Sequence, residues 1–166
     1  MKYAVVYSSL TGNTKLLAET VKKTLPDENC VYFGEPSPKA LEADRIYVGF
    51  WTDKGNCDEK TAEFLKSINN RELFLFGTAG FGGSEEYFIK VLNKAKENID
   101  ETVKIVGTYM CQGKMPMSVR ERFVKIKNMP NSKMDFDKRI DNFDKALSHP
   151  DENDLDNLSK IIKEQI

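Results

Sequence analysis

A doubly wound α/β fold, built on a five-stranded parallel sheet with helices on both faces, is the class this sequence predicts. Two observations carry the prediction. The first two-thirds of the chain alternates short apolar, β-rich runs with segments of helical periodicity, the pattern of strands joined by crossover helices. The runs are also apolar without alternation, as strands buried on both faces are.

The elements follow in order along the 166 residues. Residues 3–7 form the first strand. A helix follows with Leu16, Leu17, Thr20, Val21 and Leu25 on one side, and Pro26 stops it. Residues 30–33 form the second strand, 34–38 a turn, 38–43 a short helix and 45–50 the third strand. Asp58 is a good N-cap for a helix carrying Ala62, Phe64, Leu65 and Ile68. Residues 73–78 form the fourth strand. Ser84 opens the next helix, with Glu85 and Glu86 in a first turn that favours anions. Residues 103–110 form the fifth strand. Three helical pieces then follow, near 117–128, 136–147 and 152–165, separated by Pro130 and Pro150. Such a sheet needs one helix after its last strand, so part of the tail is an addition. No repeat, low-complexity stretch or linker interrupts the chain. One domain over 1–166 is expected, with 111–166 a helical extension packed on it.

Composition narrows the function. Hydrophobic residues are 40% and charged residues 31%, the balance of a soluble globular protein. The formal net charge of −1 argues against nucleic acid as the main partner, since phosphate binding wants a basic excess. No apolar run reaches the roughly 20 residues of a membrane helix, and the N-terminus has no signal-peptide pattern. The cytoplasm is the expected compartment. Cys30, Cys57 and Cys111 are odd in number and widely spaced, which suggests no disulfide framework. The single His149 cannot build a histidine-rich metal site, and no metal is expected.

Sheets of this class bind ligands at the carboxyl ends of their strands, where the winding direction reverses. After strand one, Ser8-Ser9-Leu10-Thr11-Gly12-Asn13-Thr14 places four hydroxyls and a glycine before a helix start. Helix N–H groups and hydroxyls are what a terminal phosphate needs. The loop has neither the G-x-G-x-x-G pattern nor a P-loop lysine. Read alone, it suits a phosphate or ordinary turn and capping residues equally. After strand three, Phe50-Trp51-Thr52-Asp53-Lys54-Gly55 puts the one tryptophan at the sheet mouth. It can stack on a planar ligand or pack over the sheet end. After strand four, Thr78-Ala79-Gly80-Phe81-Gly82-Gly83 offers close backbone approach with Phe81 as a second wall, or a flexible surface loop. The fold places all three loops around one crevice. A phosphate loop, an aromatic loop and a glycine-aromatic loop together are what FMN requires.

On these residues the sequence resembles the flavodoxin family. Ser9-Leu10-Thr11-Gly12-Asn13-Thr14 matches the family's S/T-x-T-G-x-T phosphate loop in full. Trp51 to Gly55 and Gly80 to Gly83 fall where its two ring-flanking loops lie. The resemblance covers about residues 1–110 in strand and loop order. It implies the flavodoxin-like fold with strand order 2-1-3-4-5, with FMN held non-covalently, its phosphate on Ser9 through Thr14 and its ring flanked by Trp51 and Phe81. The backbone from Asp53 to Gly55 would lie near flavin N5. The segments Gly49-Phe50-Trp51, Cys111-Gln112-Gly113-Lys114 and Ser148-His149-Pro150-Asp151-Glu152 are similar to a subgroup of short anaerobe proteins of this family. Some of that subgroup are associated with gut-bacterial bilirubin reductase.

The resemblance implies an electron-transfer protein working with a partner reductase. One departure opens an alternative. Electron-carrying members are strongly acidic, whereas residues 111–133 here carry Lys114, Arg120, Arg122, Lys125, Lys127 and Lys133 against Glu121 alone. That segment is either a solvated helix face or a landing site for an anionic small molecule or acidic protein. The second reading suits an FMN-dependent reductase of a quinone or tetrapyrrole such as bilirubin. A third possibility is a regulatory or binding domain that kept the fold and lost the flavin. Cys57 and Cys111 read as packed thiols, and His149 as a turn residue.

Overall fold

The computed structural model describes residues 1–131 and 135–166, so Lys133 of the basic segment lies outside the described residues. Five strands, β1 (Tyr3–Tyr7), β2 (Cys30–Gly34), β3 (Arg45–Asp53), β5 (Glu72–Ala79) and β6 (Lys104–Gln112), run parallel in the order β2-β1-β3-β5-β6. This is the expected order. A sixth strand, β4 (Asn56–Cys57), pairs antiparallel with the end of β3.

Side chains alternate across the sheet with a period of two and build two cores. Ala4, Val6, Ile46, Val48, Leu73 and Leu75 face one side, covered by α2 (Glu59–Lys66) and α3 (Glu85–Lys96) through Phe64, Leu65, Val91 and Ala95. Tyr3, Val5, Tyr47, Phe74 and Phe76 face the other. There they meet Leu17 and Val21 of α1 (Asn13–Thr24) and Leu158 and Ile162 of α6 (Glu152–Lys163). Thus α6 is the one tail helix the sheet needs. The addition is the hairpin of α4 (Met117–Lys127) and α5 (Phe136–Ala146). Its interior is aromatic, with Phe123 and Phe136 ring centroids 6.0 Å apart and Arg139 over both.

Two element expectations are corrected. The third strand runs on through Trp51, Thr52 and Asp53 instead of stopping at Phe50, because Trp51 continues the pairing with β5 opposite Thr78 and β4 gives Thr52 and Asp53 a partner. Lys54 and Gly55, with φ of 50° and 79°, make the turn between them. The segment 38–43 is a 3₁₀ turn over Pro38–Glu42, capped by Ser37.

At the opposite end of the sheet, register lines up three charges, Arg45 opposite Glu72 and Glu72 opposite Lys104. Both Nε and Nη2 of Arg45 donate to Glu72 Oε2, at 2.9 and 2.6 Å, and Lys104 Nζ donates to Oε1 at 2.9 Å. The Lys104 hydrogen bond, then those of Arg45, hold the Glu72 carboxyl below its ordinary value. Stability from Glu72 is therefore present above the usual glutamate range and lost as pH falls through the depressed folded value. Glu72→Gln should lower unfolding stability by about 1–2 kcal/mol at pH 7, with the difference shrinking below about pH 4. Urea unfolding across pH checks this, and a difference that grew on acidification would contradict it.

Candidate functional site

A helix start and two strand ends meet through one buried hydroxyl. Thr14, in the first turn of α1, is 1% exposed. Its Oγ1 donates to the Phe50 carbonyl at 3.1 Å and lies 3.1 Å from Thr78 Oγ1. The Thr14 proton goes to Phe50, so Thr78 donates within the pair. Thr52 Oγ1 then donates to the Thr78 carbonyl at 2.8 Å, and the Ser8 N–H to the Gly49 carbonyl at 3.0 Å. The loops after β1, β3 and β5 are stitched together below the surface.

Above this network the loop after β1 forms a cradle of N–H groups. The backbone N–H groups of Gly12 and Lys15 converge on one neutral oxygen, Ser9 Oγ, at 3.1 and 3.2 Å. Gly12 stands at the N-cap of α1 with φ of 91° and no side-chain cap bond, a conformation that strains other residues. The space where its Cβ would point is open. Convergent donors at a helix start suit a phosphate, so this end of the site fits FMN. The loop's side chains divide. Ser9 and Thr11 stay at the surface, and Leu10 is 68% exposed. Asn13 is buried, and its Nδ2 donates to the Lys114 carbonyl at 2.8 Å. With their side chains spent inward, Asn13 and Thr14 have backbone N–H groups left for an anion.

A slot of about 200 Å³ adjoins the cradle, walled by Leu10, Trp51, Phe81, Met115, Pro116 and Val119. Trp51 and Thr52 are partly exposed at the end of β3, while Asp53 and Lys54 lie in solvent at the turn. Phe50 is wholly buried beneath them, with Thr78 and Ala79 buried at the end of β5. Phe81 is 39% exposed, its ring 6.0 Å from that of Phe123 in α4. The glycine loop makes close approaches. Met115 lies against Gly80, where a Cβ would come within 2.5 Å of its Cγ. The Tyr87 ring presses on Gly82, and the Gln112 amide faces Gly83. The Gly80 carbonyl accepts from Asn142 Nδ2 at 2.9 Å and from Gln112 Nε2 at 3.3 Å, which ties α5 to the loop. The slot is narrower than the 300–1,000 Å³ usual for a ligand. The group that narrows it is Met115, an unbranched, adaptable thioether.

A second cleft of about 560 Å³ lies on the far side of the cradle, lined by Thr11, Lys15, Glu19, Lys114 and His149 among others. A larger cleft, about 710 Å³, is lined by Arg71, Glu72 and Lys104 at the other end of the sheet, away from the strand ends where this fold binds ligands. Cys57 and Cys111 are buried. Burial pushes the Cys57 thiol up to about 11 and the Cys111 thiol further, so neither is a ready nucleophile. His149 Nδ1 lies 2.6 Å from Asp154 Oδ2 inside the capping box of α6. Arg120 is paired to Asp144 at 2.8 Å, and Lys127 to Asp137.

The residues that reading by loop missed are Gly113, Met115, Pro116 and Val119. The available signal was Gly113-Lys114 directly after the fifth strand, since every other parallel strand end near the crevice contributes a wall.

A family model for the flavodoxin domain matches residues 4–163. The flavodoxin-like domain-containing protein BilS of Clostridium symbiosum (strain WAL-14163) is 39% identical over 172 residues, covering 93% of this chain and 90% of that protein. BilS of Clostridioides difficile (strain CD3) is 29% identical, covering 98% and 95%. The solved structure of oxidised Flavodoxin 2 from Bacillus cereus superposes with a TM-score of 0.62 at 17% identity, covering 100% of both chains, which supports the fold. Among the described residues no helix is long and apolar enough to cross a membrane.

The stitching network gives a direct prediction. Thr14→Val keeps the shape and leaves the Phe50 carbonyl and Thr78 hydroxyl without their partner. Unfolding stability should fall by about 1–3 kcal/mol, while Thr14→Ser should keep most of it. Urea titrations of the three proteins decide, and equal midpoints for valine and wild type would sink the network's importance.

Proposed function

The chain belongs to the flavodoxin domain family, whose cofactor is FMN and whose work is electron transfer, and from that premise we propose how this chain performs it. The phosphate rests on Ser9, Leu10, Thr11, Gly12, Asn13 and Thr14, held by backbone N–H groups and by the Ser9 and Thr11 hydroxyls. The ring lies against Trp51 and Phe81. Phe50, Thr52, Asp53, Lys54 and Gly55 form one edge, and Thr78, Ala79, Gly80, Gly82 and Gly83 the other. The observation that supports this reading most is the pair of N–H groups converging on Ser9 Oγ beside an aromatic slot.

FMN supplies reversible uptake of electrons; the protein's residues supply position and access. Met115 shifts from Gly80 to admit the ring, and Pro116 and Val119 then shield it from water. Lys54 and Gly55, at the tip of the β3–β4 turn, can reorient a peptide beside the ring without disturbing the sheet. We propose that residues 1–166 act as one domain in the cytoplasm, passing electrons to or from a partner reductase. The absence of a dinucleotide fingerprint in the sequence supports a protein donor over direct use of NAD(P)H.

A second reading has one observation in its favour. The hairpin α4–α5 stands over the ring slot, and the segment 113–147 carries nine basic against five acidic side chains. An enclosed, positively charged approach suits direct reduction of an anionic planar acceptor such as a tetrapyrrole, or a quinone.

Reconstitution tests both. The protein should take up FMN one to one, and Thr11→Val should weaken binding roughly tenfold, the loss of one hydrogen bond to a charged group, with its unfolding midpoint unchanged. Under the carrier reading, the loaded protein oxidises NAD(P)H no faster than free FMN. Multiple-turnover reduction of an organic acceptor with an artificial donor would instead establish the enzyme reading.

A further inference from the structure

We propose that Lys114 makes this chain selective for phosphorylated flavin, by setting an ammonium group beside the cofactor's phosphate; the inference rests on the phosphate placement proposed above. A flavin phosphate is an anion of up to two charges, and the loop from Ser9 to Thr14 offers it neutral donors and a helix start. A helix terminus contributes about half a unit of positive charge. The remainder calls for a cation, and the fold fixes one at the cradle's edge.

Lys114 is held there by its backbone. Its N–H donates to the His149 carbonyl at 2.9 Å, and its carbonyl accepts from Asn13 Nδ2 at 2.8 Å. The preceding Gly113 continues the sheet through its N–H to the Ala79 carbonyl at 3.0 Å. Gly113 also sits so close to Asn13 that a Cβ would come within 2.5 Å of Nδ2. The loop after β6 is therefore clamped to the first residue of the phosphate-loop helix. The side chain itself is exposed. Thr11, Asn13 and Lys114 are the residues that line both the ring slot and the outer cleft, and so they form the wall on which the cradle lies.

The neighbouring charges single it out. Arg120 and Lys127 are spent on Asp144 and Asp137. His149 is committed to Asp154, with Asp151 3.8 Å away. The Lys15 side chain, in the first turn of α1, lines only the outer cleft, which Glu19 also lines. Lys114 is in no ion pair among the described residues.

Equilibrium dissociation constants for FMN and riboflavin, measured by quenching of the flavin's own fluorescence, test the assignment. Riboflavin has the same ring and ribityl chain without the phosphate. Lys114→Met should weaken FMN about ten- to a hundredfold and change riboflavin less than about twofold. Lys114→Arg should recover most of the affinity. Added salt should narrow the preference for FMN in the wild type more than in Lys114→Met. The substituted side chain is exposed and both backbone bonds remain, so circular dichroism should be unchanged. Parallel weakening of both flavins, unchanged FMN affinity, or a loss carried by Lys15→Met instead would overturn the role of Lys114. A wild-type protein that bound neither flavin would overturn the site reading beneath it.

Discussion

The hydroxyl of Thr14 is the constraint on which the site's geometry depends. Its oxygen bridges the first turn of α1, the end of β3 and the end of β5, three segments far apart in sequence. A buried hydroxyl is costly unless satisfied, and here it is satisfied when the helix start and both strand ends stand together. The parallel pairings of β1 with β3 and of β3 with β5 bring the ends level. The network then fixes the start of α1 and the ends of β3 and β5 relative to one another.

Much of this was legible in the sequence. The strands are runs buried on both faces, so Tyr3–Tyr7 and the centres of β3 and β5 announced themselves by composition alone. Caps at Asp58 and Ser84 marked helix starts, and each accepts the backbone bond expected of it. The extension of β3 was not legible. Thr52 and Asp53 lack the apolar character of a buried strand, and they are strand because a two-residue partner folds back on them, while Trp51 continues the pairing with β5. Within the phosphate loop, residue types marked the region but not the direction of each side chain. Asn13 and Thr14 look like ligand-facing residues in a list, yet the strand ends below them take both side chains.

The α4–α5 hairpin separates this chain from the simplest form of its fold. It hangs from β6 through Gly113 to Pro116 and is held to the body by Asn142 on the Gly80 carbonyl and by Phe123 against Phe81. Those anchors sit on the loop that flanks the ring slot. The added helices thus shape access to the slot rather than the sheet, whose outer face α6 already covers through Leu158 and Ile162. The charge pattern follows the same division. Basic side chains gather on the cover of a chain whose total charge is −1, and a local field of that sign favours an anion near the strand ends.

Because Trp51 is the only tryptophan in the chain, its emission reports the ring slot without background. Titration of the protein with FMN, followed by tryptophan fluorescence, tests most directly whether the flavin ring lies at the end of β3. The account predicts saturating, near-complete quenching of the Trp51 emission at one equivalent. Stoichiometric FMN binding that left the Trp51 emission unchanged would place the ring elsewhere and contradict the account.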